Sequence, residues 1–262
     1  MPQTEIRNKQ ILIFGHSHLN ALQRAYRLMA PGRHDSSAKP PFTVTFISLH
    51  DEIFQPNLMK EGTARKLHRM IETQFSALVH RDNPSLVVSC AMGNEYNVFA
   101  MLNHPRRFDF YLPSRPDLVT DETAEILPVS QVESLITARL ENTLGQYLAM
   151  MSRAVGRKLI HIPPPPPIFE RAYIEQYPGV FGEKAKRLGV SPAIFRLKMW
   201  LLTCEVQEAL CRKSGVALYS LPPVIFDESG FLALQFRNED PTHGNSDYGR
   251  VILNDIASRS FP

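Results

Sequence analysis

The chain has little of several things that would otherwise define it. Its three cysteines, Cys90, Cys204 and Cys211, are too few and too widely spaced for a disulfide framework or a thiolate metal site, and they read as reduced thiols. No apolar stretch approaches the roughly 18 residues of a membrane span. The first ten residues are polar and lack the flanked apolar segment of a secretory signal, so a cytoplasmic location is the expectation. Charge of one sign is scarce too. Twenty-nine basic and 26 acidic residues leave +3 with no long single-sign block, which points away from nucleic acid and from an anionic membrane as partners. Nor does a Gly-x-Gly-x-x-Gly or Walker-type cradle follow the first apolar run, which argues against a nucleotide-binding domain.

What is present describes a globular α/β chain. Apolar residues make up 44% and charged residues 21%, and 262 residues suffice for one full core, so one domain spanning 1–262 is expected. Short apolar runs at Ile11 to Phe14, Phe42 to Leu49, Leu86 to Cys90, Leu159 to Ile162 and Val216 to Leu221 read as strands covered on both faces. Between them lie helical patterns. Asn20 to Met29 forms the first, and Leu67, Met70, Ile71, Phe75, Leu78 and Val79 give the second its apolar stripe. A third is expected to start after Ser130, capped by Ser130 and Glu133, and to run unbroken to about Arg157. A fourth starts at Ser191-Pro192 and buries Ile194, Leu197, Leu201 and Cys204. Strand and helix in alternation predict a parallel sheet with right-handed crossovers.

Two stretches interrupt the alternation: Asn103 to Val129, rich in proline, arginine and aspartate, and the five-proline run Pro163 to Pro167. Ligands of open α/β sheets bind beyond the carboxyl ends of the strands, so both are expected at the functional rim, the first as an insertion. For the proline run, a structural turn or an exposed peptide ligand is the alternative.

Three segments at expected strand ends carry reactive side chains. Gly15-His16-Ser17-His18 follows the first strand, Met92-Gly93-Asn94-Glu95 follows the third, and Asp240-Pro241-Thr242-His243 lies near the end. If they meet, Ser17 is a nucleophile, His243 its base, Asp240 the carboxylate that orients the base, and Asn94 an amide donor for an oxyanion. Two have a plainer alternative: Ser17 as a helix cap, and Asp240-x-x-His243 as an exposed loop salt bridge or cap. Glu239 is a second carboxylate close to His243.

The three segments resemble the sequence blocks of the SGNH (GDSL-like) hydrolase superfamily. Gly15-His16-Ser17 resembles the first block, usually Gly-Asp-Ser; Met92-Gly93-Asn94-Glu95 resembles the third, usually Gly-x-Asn-Asp; and Asp240 to His243 matches the last, Asp-x-x-His. The departures are His16, Met92 and Glu95. The resemblance implies a three-layer α/β sandwich with a central parallel sheet of the flavodoxin-like type. It also implies serine-dependent cleavage of an O-acyl ester, on a small molecule or carbohydrate, through an acyl-enzyme and with no metal or organic cofactor. The second block normally adds a glycine N–H to the oxyanion hole, and Gly62 is its candidate here beside the Ser17 N–H and the Asn94 amide. His16, His18, Tyr96 and Asn97 are candidate substrate contacts. If the strand continues, alternation puts both histidines opposite Ser17. Asp109, Tyr111 and Arg115 of the insertion could cover the pocket.

Rival readings remain: transfer of the acyl group to another hydroxyl, hydrolysis by a metal held by His16, His18, Asp240 and His243, or a carbohydrate- or protein-binding domain with an inactive cleft. Oligomeric state has no signature in the sequence.

Overall fold

A computed structural model describes residues 9–29, 42–52, 58–61, 64–67, 69–155 and 159–259. Among them, five strands form a parallel sheet in the order β2-β1-β5-β8-β9. These are β1 (Lys9–Gly15), β2 (Phe42–Ser48), β5 (Leu86–Cys90), β8 (Leu159–His161) and β9 (Ala217–Leu218). Counted along the sheet this is the 2-1-3-4-5 order of doubly wound folds, with its switch point between β1 and β5.

Alternation along β1 explains the layers. Leu12 and Phe14 face one core with Ile71, Phe75, Tyr147 and Leu148, whereas Ile11 and Ile13 face another with Leu22, Ala25, Ile252 and Ile256. Helices α2 (Arg69–Asp82), α4 (Val129–Glu141), α5 (Leu144–Val155) and α8 (Ala193–Lys213) therefore cover the first face. Helices α1 (Leu19–Met29) and α9 (Ser246–Ser258) cover the second and pack closely on each other. Gly249 permits that approach, because a Cβ there would stand 2.2 Å from the Ala21 carbonyl oxygen. The remaining elements include a hairpin of β3 (Leu58–Glu61) and β4 (Ala64–Leu67), the parallel pair β6 (Phe108–Asp109) and β7 (Glu125–Ile126), and the short helices α3 (Asn97–Ala100), α6 (Arg171–Gln176) and α7 (Gly182–Leu188). Among the described residues no helix is long and apolar enough to cross a membrane.

Four expectations are corrected. The long third helix is two helices, broken at Asn142 and Thr143: the Thr143 hydroxyl bonds the Arg139 carbonyl and the Glu95 carboxylate instead of extending an apolar face. Its start is set by Pro128 in an extended conformation and not by a Ser130 cap. Likewise Pro192 occupies the N-cap of α8, while the Ser191 hydroxyl bonds the Ala100 carbonyl. Leu67 ends β4 and does not begin α2.

Helix α8 is also buried on more than one stripe, with Phe195, Leu197, Met199, Leu202 and Val206 inside while Ile194, Leu201 and Cys204 are only half-buried. Its polar residues are inside because each meets a partner. Arg196 donates to the Ile168 and Phe169 carbonyls, Lys198 pairs with Asp109 at 2.6 Å, and Trp200 donates to the Pro164 carbonyl. The helix is thus a spine to which the two irregular stretches are tied.

Candidate active site

The carboxyl ends of β1 and β5 are in register, with Gly15 opposite Cys90, so the segments after them emerge side by side at the switch point. Ser17 sits in the turn between β1 and α1. Its carbonyl accepts from Asn20, but its hydroxyl turns away from the helix to His243 Nε2 at 2.8 Å, so it is not the helix cap.

His243 reaches it from a self-supporting loop. Asp240 Oδ1 accepts the Thr242 N–H at 2.8 Å, the His243 N–H at 2.9 Å and the His243 ring Nδ1 at 2.9 Å, and Oδ2 accepts the Asn238 amide at 2.6 Å. Two residues on, the Asn245 side chain caps α9 through the Asp247 and Tyr248 N–H groups. A carboxylate on Nδ1 places the ring proton there and leaves Nε2 as the acceptor for the serine hydroxyl. Burial acts to raise the Asp240 pKa, yet the bonds from His243, Thr242 and Asn238 outweigh it and hold the carboxyl well below the ordinary range. Asp240, not Glu239, is the carboxylate at the ring.

The third segment is a tight turn. Met92 (φ +56°) and Gly93 (φ +95°) are both left-handed, which Gly93 takes without strain and Met92 does not. Four ties hold the turn: the Met92 N–H donates to His16 Nδ1, the Gly93 N–H to Glu95 Oε2, the Gln207 amide to the Gly93 carbonyl, and the Asn97 amide to Asn94 Oδ1. With its oxygen so engaged, the Asn94 carboxamide presents its NH2 group. Among the described residues neither that group nor the Ser17 N–H donates to any protein acceptor. Glu95 is itself held by the Thr143 hydroxyl. Gln207, Thr143 and Asn238 were missed from the sequence. Only Asn238 and Thr242 leave a signal, an Asp with polar neighbours two residues to either side.

The two histidines beside Ser17 part company. His16 lies against Tyr147 and His50, each at 5.4 Å between ring centroids, and burial together with His50 lowers its pKa to about 4. His18 lies on the other side, 4.9 Å from the His243 ring, with both nitrogens buried and unpartnered. Burial, with His243 nearby, lowers its pKa to about 3. The expectation that both lie together opposite Ser17 is therefore corrected: the strand ends at Gly15 and the turn sends them to opposite faces. That divergence also separates the would-be metal ligands. Among the described residues no group of three or more His, Cys, Asp or Glu is placed to hold an ion.

The other candidates are placed as follows. Tyr96 is buried in the core and Asn97 is committed to Asn94, so neither is a free rim contact. Gly62 lies outside the described residues. Pro163 to Pro167 are buried, excluding an exposed peptide ligand; Pro163 and Pro165 line a small cavity with His18, Cys90 and Tyr248, and Pro164 lies beside Gly93. The run therefore passes between two parts of the site as a wall. The 103–129 segment instead packs on α8 through Asp109, which pairs with Lys198. Tyr111 is exposed and Arg115 pairs with Asp117, so none of the three covers Ser17 by a hydrogen bond. A separate cavity, lined by Leu102, Arg107, Phe108, Asp121 and Phe195, lies between that segment and α8.

No protein-family model matches the chain, and no curated protein matches it by sequence. Solved structures resemble it in fold at low sequence identity. The chain is similar to the periplasmic domain of a lipopolysaccharide acetyltransferase from Salmonella ser. Paratyphi A, at 13% identity over 95% of this chain and 82% of that one, TM-score 0.47. It is similar to a putative acylhydrolase from Bacteroides fragilis (13% identity, 97% and 86% covered, TM-score 0.40). It is similar also to a GDSL-like lipase from Bacteroides thetaiotaomicron (13% identity, 98% and 90% covered, TM-score 0.41).

Proposed function

We propose that the chain is a serine-dependent acyl hydrolase of the SGNH type, acting on an O-acyl ester of a small molecule or carbohydrate. The observation that carries this is the continuous line from Asp240 Oδ1 to His243 Nδ1 (2.9 Å) and from His243 Nε2 to Ser17 Oγ (2.8 Å). These are the distances a nucleophile, its base and the base's orienter need before substrate arrives.

In the mechanism, Ser17 Oγ attacks the ester carbonyl as its proton passes to His243 Nε2. Asp240, ionised, steadies the imidazolium so formed. The carbonyl oxygen becomes an oxyanion, and the free Ser17 N–H and the Asn94 NH2 are its donors. The Ser17 N–H stands just before the start of α1, which adds the helix N-terminal field. His243 returns the proton to the departing alcohol, leaving an acyl group on Ser17. It then takes a proton from water, which attacks the acyl carbonyl, and returns that proton to Ser17 Oγ as the bond to the acyl group breaks, freeing the acid and the serine. A second hydroxyl in place of that water would give transfer by the same steps.

The test is turnover of short-chain and long-chain aryl esters by the chain and by Ser17→Ala, with products analysed in the presence and absence of sugar acceptors. Hydrolysis that vanishes in the variant is expected. Equal turnover by the variant would overturn the reading, and acylated acceptor as the dominant product would replace hydrolysis by transfer.

A further inference from the structure

We propose that His16 is a positioning residue: by accepting the Met92 N–H, its ring holds the turn after β5 in the conformation that aims the Asn94 carboxamide at the carbonyl bound at Ser17. The inference rests on the serine–acyl reading above.

The turn needs holding. A left-handed φ at a non-glycine residue such as Met92 is strained and persists only where surroundings over-determine it. Of its four ties, the one to Glu95 is internal to the loop, the one to Asn97 comes from α3, and the one to Gln207 comes from α8. Only the bond from Met92 to His16, 3.2 Å long, reaches the residue adjoining the nucleophile. Beyond the β1–β5 ladder that ends at Gly15 and Cys90, it ties the Ser17 turn to the Asn94 turn, which no bond within the turn can do. Donor distance matters here, since a displacement of about 1 Å in a catalytic constellation can cost about 100-fold in rate.

The chemistry of the ring suits the task. An imidazole whose Nδ1 accepts must be neutral and carry its proton on Nε2. Enclosure by Tyr147 of α5 and by His50 after β2 disfavours the charged form, which could not accept. A carboxylate at this position could take the same N–H, but it would put a buried negative charge close to a developing oxyanion. The neutral ring supplies the acceptor without that repulsion.

The experiment has a structural arm and a kinetic arm. In the whole chain at neutral pH, imidazole 15N shifts should show His16 Nδ1 unprotonated and Nε2 protonated, and the Met92 amide should exchange slowly. His16→Ala should speed that exchange at least about tenfold and lower kcat by about 10- to 100-fold with KM within about twofold. His16→Asn, whose Oδ1 stands near the place of Nδ1, should restore slow exchange and most of the turnover. A protonated Nδ1, wild-type kcat in His16→Ala, or equal impairment of both variants would overturn the proposal. If His16→Ala does not fold, the wild-type tautomer and the Asn variant still decide. Failure of the serine–acyl reading looks different: Ser17 would not react with a fluorophosphonate in the wild-type chain. The tautomer and exchange would still report whether the tie exists, and the positioning role would fall with the reading.

Discussion

The loop that carries His243 and the turn that carries Asn94 serve one site, yet only the second depends on ties from distant elements. The first is held from within: every bond to the Asp240 carboxylate comes from a residue no more than three positions away. The second has two local ties, to Glu95 and from Asn97, but is also held from afar, by His16 from β1's end and Gln207 from α8, with Glu95 steadied by Thr143 from the α4–α5 break. A locally closed loop can keep its geometry while its surroundings shift. A remotely tied turn reports any movement of the elements around it.

The largest expected effect breaks the local loop at its centre. Asp240→Asn should leave the fold intact and lower kcat by about 10⁴-fold, because the amide no longer stabilises the imidazolium and allows the wrong tautomer. Ester turnover with a circular dichroism control checks it, and a drop of less than tenfold would show that the carboxylate is dispensable. Next is a remote tie. Lys198 and Asp109 are 0% and 4% exposed in their side chains, so Lys198→Met strands a buried carboxylate and should cost about 3–5 kcal/mol of stability. Urea unfolding measures that loss. Turnover per folded molecule should change by less than about twofold, since the 103–129 segment lies on α8 and makes no hydrogen bond to the triad.

Asn94→Ala should then cost about 100- to 1,000-fold in kcat with little change in KM, as one oxyanion donor is removed. An unchanged kcat would leave the turn without a catalytic purpose. A further effect is on pH dependence. His16, His18 and His161 have pKa values lowered to about 4, 3 and 4, chiefly by burial. Below about pH 6.5 the unfolded chain binds protons at these positions while the folded chain does not, so stability should fall as pH drops from about 6.5 toward 4. Each group contributes at most about 1.4 kcal/mol per pH unit. Denaturant midpoints at pH 7.5 and 5 would show it, and an unmoved midpoint would contradict the neutral burial of these rings. Asp240 acts in the same sense at lower pH, its stabilisation being lost as the carboxyl is finally protonated.

The contrast between local and remote also decides what could be read from the sequence. Strands β1, β2 and β5 and helix α1 were legible because periodicity is a local property, and their alternation implied the parallel sheet. Asp240 and His243 were legible for the same reason, since the spacing that joins them spans three residues. The break at Asn142 and Thr143 was not, because Leu140, Leu144 and Leu148 keep a spacing of four across it and the hydroxyl's partner, Glu95, is 48 residues away. The caps at Ser130 and Ser191 were misplaced because a proline in extended conformation starts each helix one or two residues earlier or later than a serine signal suggests. The burial of Arg196, Lys198 and Gln207 has no signal in the sequence, since nothing near them names the carbonyls and carboxylate they meet.

The proposed chemistry requires Ser17 to be the group that attacks. The most direct measurement is to react the chain with a fluorophosphonate at neutral pH and locate the adduct by peptide mass analysis. Stoichiometric modification of Ser17, abolished in His243→Ala, is the predicted result; an adduct on another residue, or none while ester turnover proceeds, would contradict it.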